Sequence, residues 1–200
     1  MVSGPRAALT SARLDLVTGT DSVTVTSADL GNVLFRAATP AHARQVPRET
    51  SSGDAVTVSL ADVSGPGPAQ VDVVLNSRVS WAVSLDGAAS AERVDLSGAH
   101  LSALTFAAGS ASIDVQLPAP VGDVPVVMRG GASDFVVRTP AGVPYQVLFA
   151  GGAGSATIDG AVRSGVAGGT AISSPNWDTA ANRYTIDNSA GVSAFTLAAR

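Results

Sequence analysis

The chain has 200 residues, enough for one domain with a sizeable core, and 46% of them are hydrophobic while only 14% are charged. All twelve basic residues are Arg and the net charge is −4, which argues against a nucleic acid partner and against a membrane surface held by charge alone. With no Cys there are no disulfides, thiolate nucleophiles or Cys-based zinc sites, and no apolar run is long enough to span a bilayer as a helix.

The apolar excess is mostly Ala and Val, a mix that favours strands over helix bundles. Toward the N-terminus, residues 12–16, 22–26, 32–35, 55–60 and 71–75 alternate or carry β-formers, with Gly, Pro, Asn or Asp between them. Residues 41–54, which hold His42, Arg44, Arg48, Glu49 and Asp54, read as an exposed connection.

The middle of the chain repeats. Gly87, Gly109, Gly131 and Gly152 each open a run of small residues, at intervals of 22, 22 and 21. Apolar alternation flanks every run, so each repeat reads strand, small-residue turn, strand, wider turn. Pro118 and Pro140, again 22 apart, mark the wider turns, where a residue that cannot donate to a ladder belongs. Leu85, Phe106, Met128 and Phe149 follow the same period, at 21, 22 and 21, and are expected to stack inside the core. No helix is expected, beyond at most one turn over residues 88–92.

The last segment closes the pattern. Residues 163–182 are polar, Gly-rich and irregular and could cover the end of the stack. Residues 183–187 and 192–197 flank Asn188-Ser189-Ala190-Gly191, a hairpin signal. The expected fold is therefore all-β, a single-domain β-solenoid with rungs of about 21–22 residues and a C-terminal β-hairpin. Its parts are irregular N-terminal rungs over 1–78, regular repeats over 79–162, and a capping segment with the closing hairpin over 163–200. Such a stack ends in unpaired strand edges, and the N-terminal one is expected to be less protected and to permit weak homodimerisation.

The search for chemistry returns no catalytic, cofactor or metal set. Only His42 and His100 could serve as bases for a nucleophilic triad, and no nucleophile elbow accompanies them. Asp95, Asp114 and Asp159 follow Val94, Ile113 and Ile158, so alternation predicts an acidic row facing solvent. A polysaccharide cleft or a calcium site could use such carboxylates, but EF-hand or nonapeptide loop spacing is missing. The paired glycines 130–131, 151–152 and 168–169 lack the context of a phosphate loop. Trp81, Trp177, Tyr145 and Tyr184 could stack on sugars, yet at 4% aromatic content most are needed for the core.

Several segments resemble the toast-rack, or putative-adhesin, β-solenoid family, which includes the C-terminal domains of cell-envelope stress regulators. They are Leu96-Ser97-Gly98-Ala99-His100-Leu101, Gly130-Gly131-Ala132-Ser133, residues 138–143 and residues 151–160. The closing stretch from Ser174-Pro175-Asn176-Trp177 through Arg183-Tyr184-Thr185-Ile186 to Gly191-Val192-Ser193 carries the resemblance furthest. It covers most of the chain from about Trp81 onward and is more specific for fold than for activity.

The resemblance implies a role at the cell envelope with no assigned catalytic residues. The expected function is a non-enzymatic scaffold, adhesin-like or sensor module acting through protein contacts, without cofactor or nucleic acid. A carbohydrate-binding or carbohydrate-processing solenoid and a cytosolic self-assembling one are the alternatives. Family members usually follow transmembrane segments. The expected setting is extracytoplasmic with a membrane tether outside these residues, or cytoplasmic if Met1 starts the natural chain.

Overall fold

The computed structural model of the protein describes residues 1–200, which form nineteen β-strands and no helix. The first seven are β1 (Val2–Pro5), β2 (Ser11–Leu16), β3 (Thr20–Ala28), β4 (Val33–Ala38), β5 (Gln45–Ser52), β6 (Ala55–Asp62) and β7 (Gln70–Asn76). Six more follow at the repeat period: β8 (Ser80–Leu85), β9 (Ala89–Asp95), β10 (His100–Phe106), β11 (Ser110–Gln116), β12 (Asp123–Met128) and β13 (Ala132–Thr139). The last six are β14 (Tyr145–Phe149), β15 (Ala153–Ile158), β16 (Ala161–Val166), β17 (Thr170–Ser173), β18 (Arg183–Asn188) and β19 (Val192–Ala199).

The strands make two mixed sheets of ten and nine strands in a single domain. The ten-stranded sheet runs β1-β4-β7-β3-β9-β11-β13-β19-β15-β16, and the nine-stranded sheet runs β17-β14-β18-β12-β10-β8-β2-β6-β5. Consecutive strands such as β8 and β9 go to different sheets, so the chain lays down tiers of two strands, one per sheet. Within each sheet the central strands pair in parallel, for example β8 with β10 and β9 with β11. Alternation explains the layering: β8 reads Ser80-Trp81-Ala82-Val83-Ser84-Leu85 with Trp81, Val83 and Leu85 buried. One cluster of 45 buried residues fills the space between the sheets.

Leu85, Phe106 and Met128 are successive partners in the nine-stranded sheet. Phe149 lies in the same inward row one position farther, because Asn188 pairs with Met128 on one side and with Phe149 on the other. Four aromatic rings form a chain of edge-to-face contacts: Phe106 with Phe135 at 5.7 Å and Phe195 with Phe149 at 5.3 Å cross between the sheets, and Phe135 with Phe195 at 5.5 Å joins them within the ten-stranded sheet.

Three expectations are corrected. Residues 183–187 and 192–197 are not a hairpin: β18 and β19 lie in different sheets. Both ends of their connection, Asn188 and Val192, are buried, so the chain turns to face two side-chain rows across the core instead of pairing two backbones. The turn is seated by Ser189 and Ala190, whose N–H groups donate to the Met128 carbonyl. Residues 88–92 are not a helical turn but enter β9.

Residues 41–54 are not a connection: β5 runs antiparallel along β6, from Gln45 opposite Asp62 to Ser52 opposite Ala55. The N-terminal edge of the tiers is likewise paired, by β5 in one sheet and by β4 and then β1 in the other, so the outermost strands at that end are β5 and β1 and not the tiers themselves. At the opposite end β17 and β16 cover β14 and β15. A covering strand satisfies backbone groups and faces solvent, so it needs no apolar alternation. β16 is exposed or half-exposed throughout, which is why its sequence reads as irregular.

Candidate functional site

Outward positions of the nine-stranded sheet carry small side chains at its centre. Ala82 pairs with Arg13 on one side and Ala103 on the other, and Ser84 pairs with Asp15 and Thr105 in the same manner. The inward positions between them hold Trp81, Val83 and Leu85, so the outward side chains are the other half of the alternation. Their small size leaves a hollow of about 270 Å³, bordered by Arg13 and Arg129. Arg13 is held by Asp15 at 2.8 Å, and that hydrogen bond raises its pKa further. Arg129 joins none of the five ion pairs of the chain. Beyond the hollow the face continues through Val127, beside Thr105, and Leu148, beside Asp187. The result is a low strip of small and mostly polar side chains, with Arg13 and Arg129 at the hollow and Asp15 and Asp187 in the same outward row.

The opposite face, on the ten-stranded sheet, is a polar mosaic. Thr24, Arg93 and Asp114 follow one another in register, and Asp114 forms an ion pair with Arg138. Asp95 lies one row away, beside Gln116, so Asp95 and Asp114 do not share a row. Asp159 lies beyond β15 in a turn at φ 49°, where it accepts a 2.6 Å hydrogen bond from the Tyr145 hydroxyl. The three carboxylates face outward as alternation requires but do not converge. No group of three or more His, Cys, Asp or Glu side chains is placed to hold a metal.

His42 is exposed in the turn ahead of β5 at φ 59°, and its carbonyl accepts from Gly67. His100 is exposed at the start of β10, bordering a shallow depression with Ser80 and Ser102. The two histidines therefore sit on separate parts of the fold. A second cleft, of about 230 Å³, is lined by Tyr145, Asp159 and Ser174 among others. Burial, reinforced by Asp159, pushes the Tyr145 hydroxyl's pKa upward, the wrong direction for a nucleophile or base.

The four aromatics weighed for sugar stacking are already engaged. Trp81 is fully buried with Nε1 donating to the Asn76 carbonyl at 2.9 Å, and Tyr184 is buried with its hydroxyl donating to the Pro118 carbonyl at 2.8 Å. Tyr145 is buried, and the Arg183 guanidinium lies 4.8 Å over the Trp177 ring.

One residue escaped the sequence reading. Glu92 in β9 is 2% exposed and points into the core, and neither carboxylate oxygen has a hydrogen-bond partner. Burial pushes its pKa up to about 8. The repeat could have revealed it: Glu92 stands 21 residues before Ile113, which itself stands 22 before Phe135, and all three share one inward row.

No protein-family model and no curated protein matches the chain. The architecture is similar to a solved structure described as a putative cell adhesion protein from Clostridium sporogenes. That likeness has a TM-score of 0.72 and 15% identity, and it covers 100% of this chain and 97% of the other. At that identity the likeness establishes a shared all-β, two-sheet fold. No helix of the structure is long and apolar enough to cross a membrane.

Proposed function

We propose that the protein is a non-catalytic module of the cell envelope that acts as a scaffold, adhesin-like or sensor surface through protein contacts. The observation that carries this reading is the flat small-residue strip on the nine-stranded sheet, where Ala82, Ser84, Ala103 and Thr105 leave a shallow hollow between Arg13 and Arg129. A broad face of that kind fits another flat surface better than it fits a small substrate, which would need an enclosed pocket with converging polar groups. The shared fold with a protein described by its name as one of cell adhesion supports the same reading.

A β-solenoid winding of the toast-rack type is supported by parallel tiers that recur at 21 to 22 residues between β8 and β13. An extracytoplasmic setting, with a tether outside these residues, follows from the same resemblance.

The test is retention of the purified protein on bacterial envelope preparations. Ala103→Arg, which fills the hollow without touching the core, should weaken retention about tenfold with an unchanged melting temperature. Thr24→Arg, on the opposite face, should leave retention intact. Equal retention of both variants and wild type would overturn the assignment of this face.

A further inference from the structure

The order of tiers in space differs from their order in the chain at both ends of the molecule, and the two ends differ in kind. From one end to the other the tiers are β6–β7, β2–β3, β8–β9, β10–β11, β12–β13, β18–β19 and β14–β15. At the first end the interior tier, β2–β3, precedes its outer neighbour in the chain, so β6–β7 simply adds outside it. At the far end the interior tier comes last. Strands β14 to β17 are complete before residues 183–199 are reached, and the final tier must then enter a slot between β12–β13 and β14–β15.

The two walls of that slot match each other. β14 follows β12 at the repeat period, and Val126 and Val147 each take Ile186 as their partner, as Met128 and Phe149 each take Asn188. Without β18 between them, Val126 would face Val147 and Met128 would face Phe149, an apolar match along the inward row. The inserted strand is the one that breaks the row. Asn188 is 0% exposed and neither its amide nitrogen nor its amide oxygen has a hydrogen-bond partner. An unsatisfied buried polar group opposes the state that buries it. The remaining residues of the tier favour insertion, since Tyr184, Ile186, Phe195 and Leu197 are all buried.

We propose that residues 183–199 form an exchangeable tier, and that the slot of one molecule accepts this same segment from a second copy of the chain. The hinge is the stretch 174–182, most of it exposed, joining β17 to β18. Ser174 N–H donates to the Tyr145 carbonyl and Gly122 N–H to Asn182 Oδ1 at 2.8 Å, which tie the stretch to the body of the molecule, and the Arg183 guanidinium donates to the Trp177, Asp178 and Ala180 carbonyls, which tie it to β18. In the exchanged dimer every contact of the tier is reproduced between chains, and closure is two-fold because each copy gives and receives one segment.

The absence of Cys makes the test clean. Val127 and Asp187 are outward-facing partners on β12 and β18, so Val127→Cys and Asp187→Cys, placed in separate full-length chains, can join only if one chain's tier sits in the other's slot. The two variants are mixed, partly unfolded, refolded together across a concentration series and oxidised. The expected result is a covalent heterodimer that rises with concentration and exceeds the homodimer background of either variant alone. The doubly substituted chain, refolded dilute, should close within itself and confirm the geometry. Asn188→Leu relieves the same buried amide in the closed monomer and in the exchanged dimer, so it should leave the yield after joint refolding unchanged, while folded chains mixed without denaturant should form heterodimer about tenfold more slowly because the open state is less populated. Internal closure of the double variant with heterodimer at background level at every concentration would overturn the proposal. So would an Asn188→Leu chain that exchanges as readily as its parent.

Discussion

Glu92 and Ile113 are partners on β9 and β11, a carboxylate and an aliphatic side chain buried in one inward-facing row at 2% and 0% exposure. On the other side of Glu92 the row holds Val23 of β3. The charged groups on these three strands, Asp21, Arg93, Asp95 and Asp114, are exposed or half-exposed on the outward side and leave the carboxyl group unpaired.

Stability should therefore fall as pH rises through the neutral range. Glu92 ionises near its ordinary 4.5 when unfolded and near 8 when folded, so between those values the folded chain holds the extra proton. Its contribution is fully present below about pH 4.5 and is lost progressively up to about pH 8, with a slope of at most about 1.4 kcal/mol per pH unit. Glu92→Gln should flatten this slope, and Glu92→Ile should raise stability at pH 8 by about 1–4 kcal/mol. Denaturant unfolding at pH 5, 6.5 and 8 checks both; equal slopes for wild type and Glu92→Gln would place the carboxyl group in water.

The aromatic chain across the core predicts a second result. Phe135 touches both Phe106 and Phe195, so Phe135→Ala should cost about 3–5 kcal/mol, as should Phe106→Ala and Phe149→Ala. Combining Phe106→Ala with Phe135→Ala should reveal a coupling of about 0.5–1.5 kcal/mol in a double-mutant cycle. A sum that is strictly additive would mean the edge-to-face contact adds nothing beyond burial.

Two glycines separate close approach from backbone freedom. A Cβ at Gly130 would lie 1.9 Å from the Ala108 carbonyl carbon, because the tight turns of neighbouring tiers stack backbone on backbone. Gly122 has φ +79° but nothing within 4 Å of its would-be Cβ. Gly130→Ala should prevent normal folding or lower the melting temperature severely, whereas Gly122→Ala should cost about 1–2 kcal/mol through left-handed strain alone. Thermal melts of the pair decide it, and comparable losses would contradict the stacking of the turns.

Asn76 supports the N-terminal half through its side chain. Its Nδ2 donates to the Gly31 and Val33 carbonyls at 3.1 and 2.6 Å, and its Oδ1 accepts from the Arg78 N–H at 3.0 Å. Asn76→Leu keeps the volume and strands these backbone groups, so it should cost about 2–4 kcal/mol. Hydrogen exchange should locate the loosening at β4 and the turn between β7 and β8. A native melting curve would show that water replaces the amide without loss.

The positions of strands were legible in the residues because alternation and the 21 to 22 residue period are local properties. The tight and wide turns at Gly109, Gly131, Pro118 and Pro140 could be placed for the same reason. The covering strands β5, β16 and β17 were not legible, since a strand with one edge and one face in water selects for little beyond backbone pairing. Asn188-Ser189-Ala190-Gly191 carries a hairpin signal without being one, because turn residues report a change of direction and not which sheet the next strand joins. The candidate face was only half legible: alternation placed Ala82, Ser84, Ala103 and Thr105 outward, but the hollow they make with Arg13 and Arg129 joins residues far apart in the chain.

By themselves, residues 79–158 determined that the protein is all-β and layered, with Leu85, Phe106, Met128 and Phe149 in one inward row, because side-chain periodicity dictates which face is buried. Only the tertiary structure decided the order of the tiers. Every tier offers similar parallel edges and a similar apolar row, so local pattern does not distinguish β14 from β18 as the neighbour of β12. In the structure that place is taken by β18, with Tyr184, Ile186, Phe195 and Leu197 buried between two tiers and Asn188 enclosed without a partner.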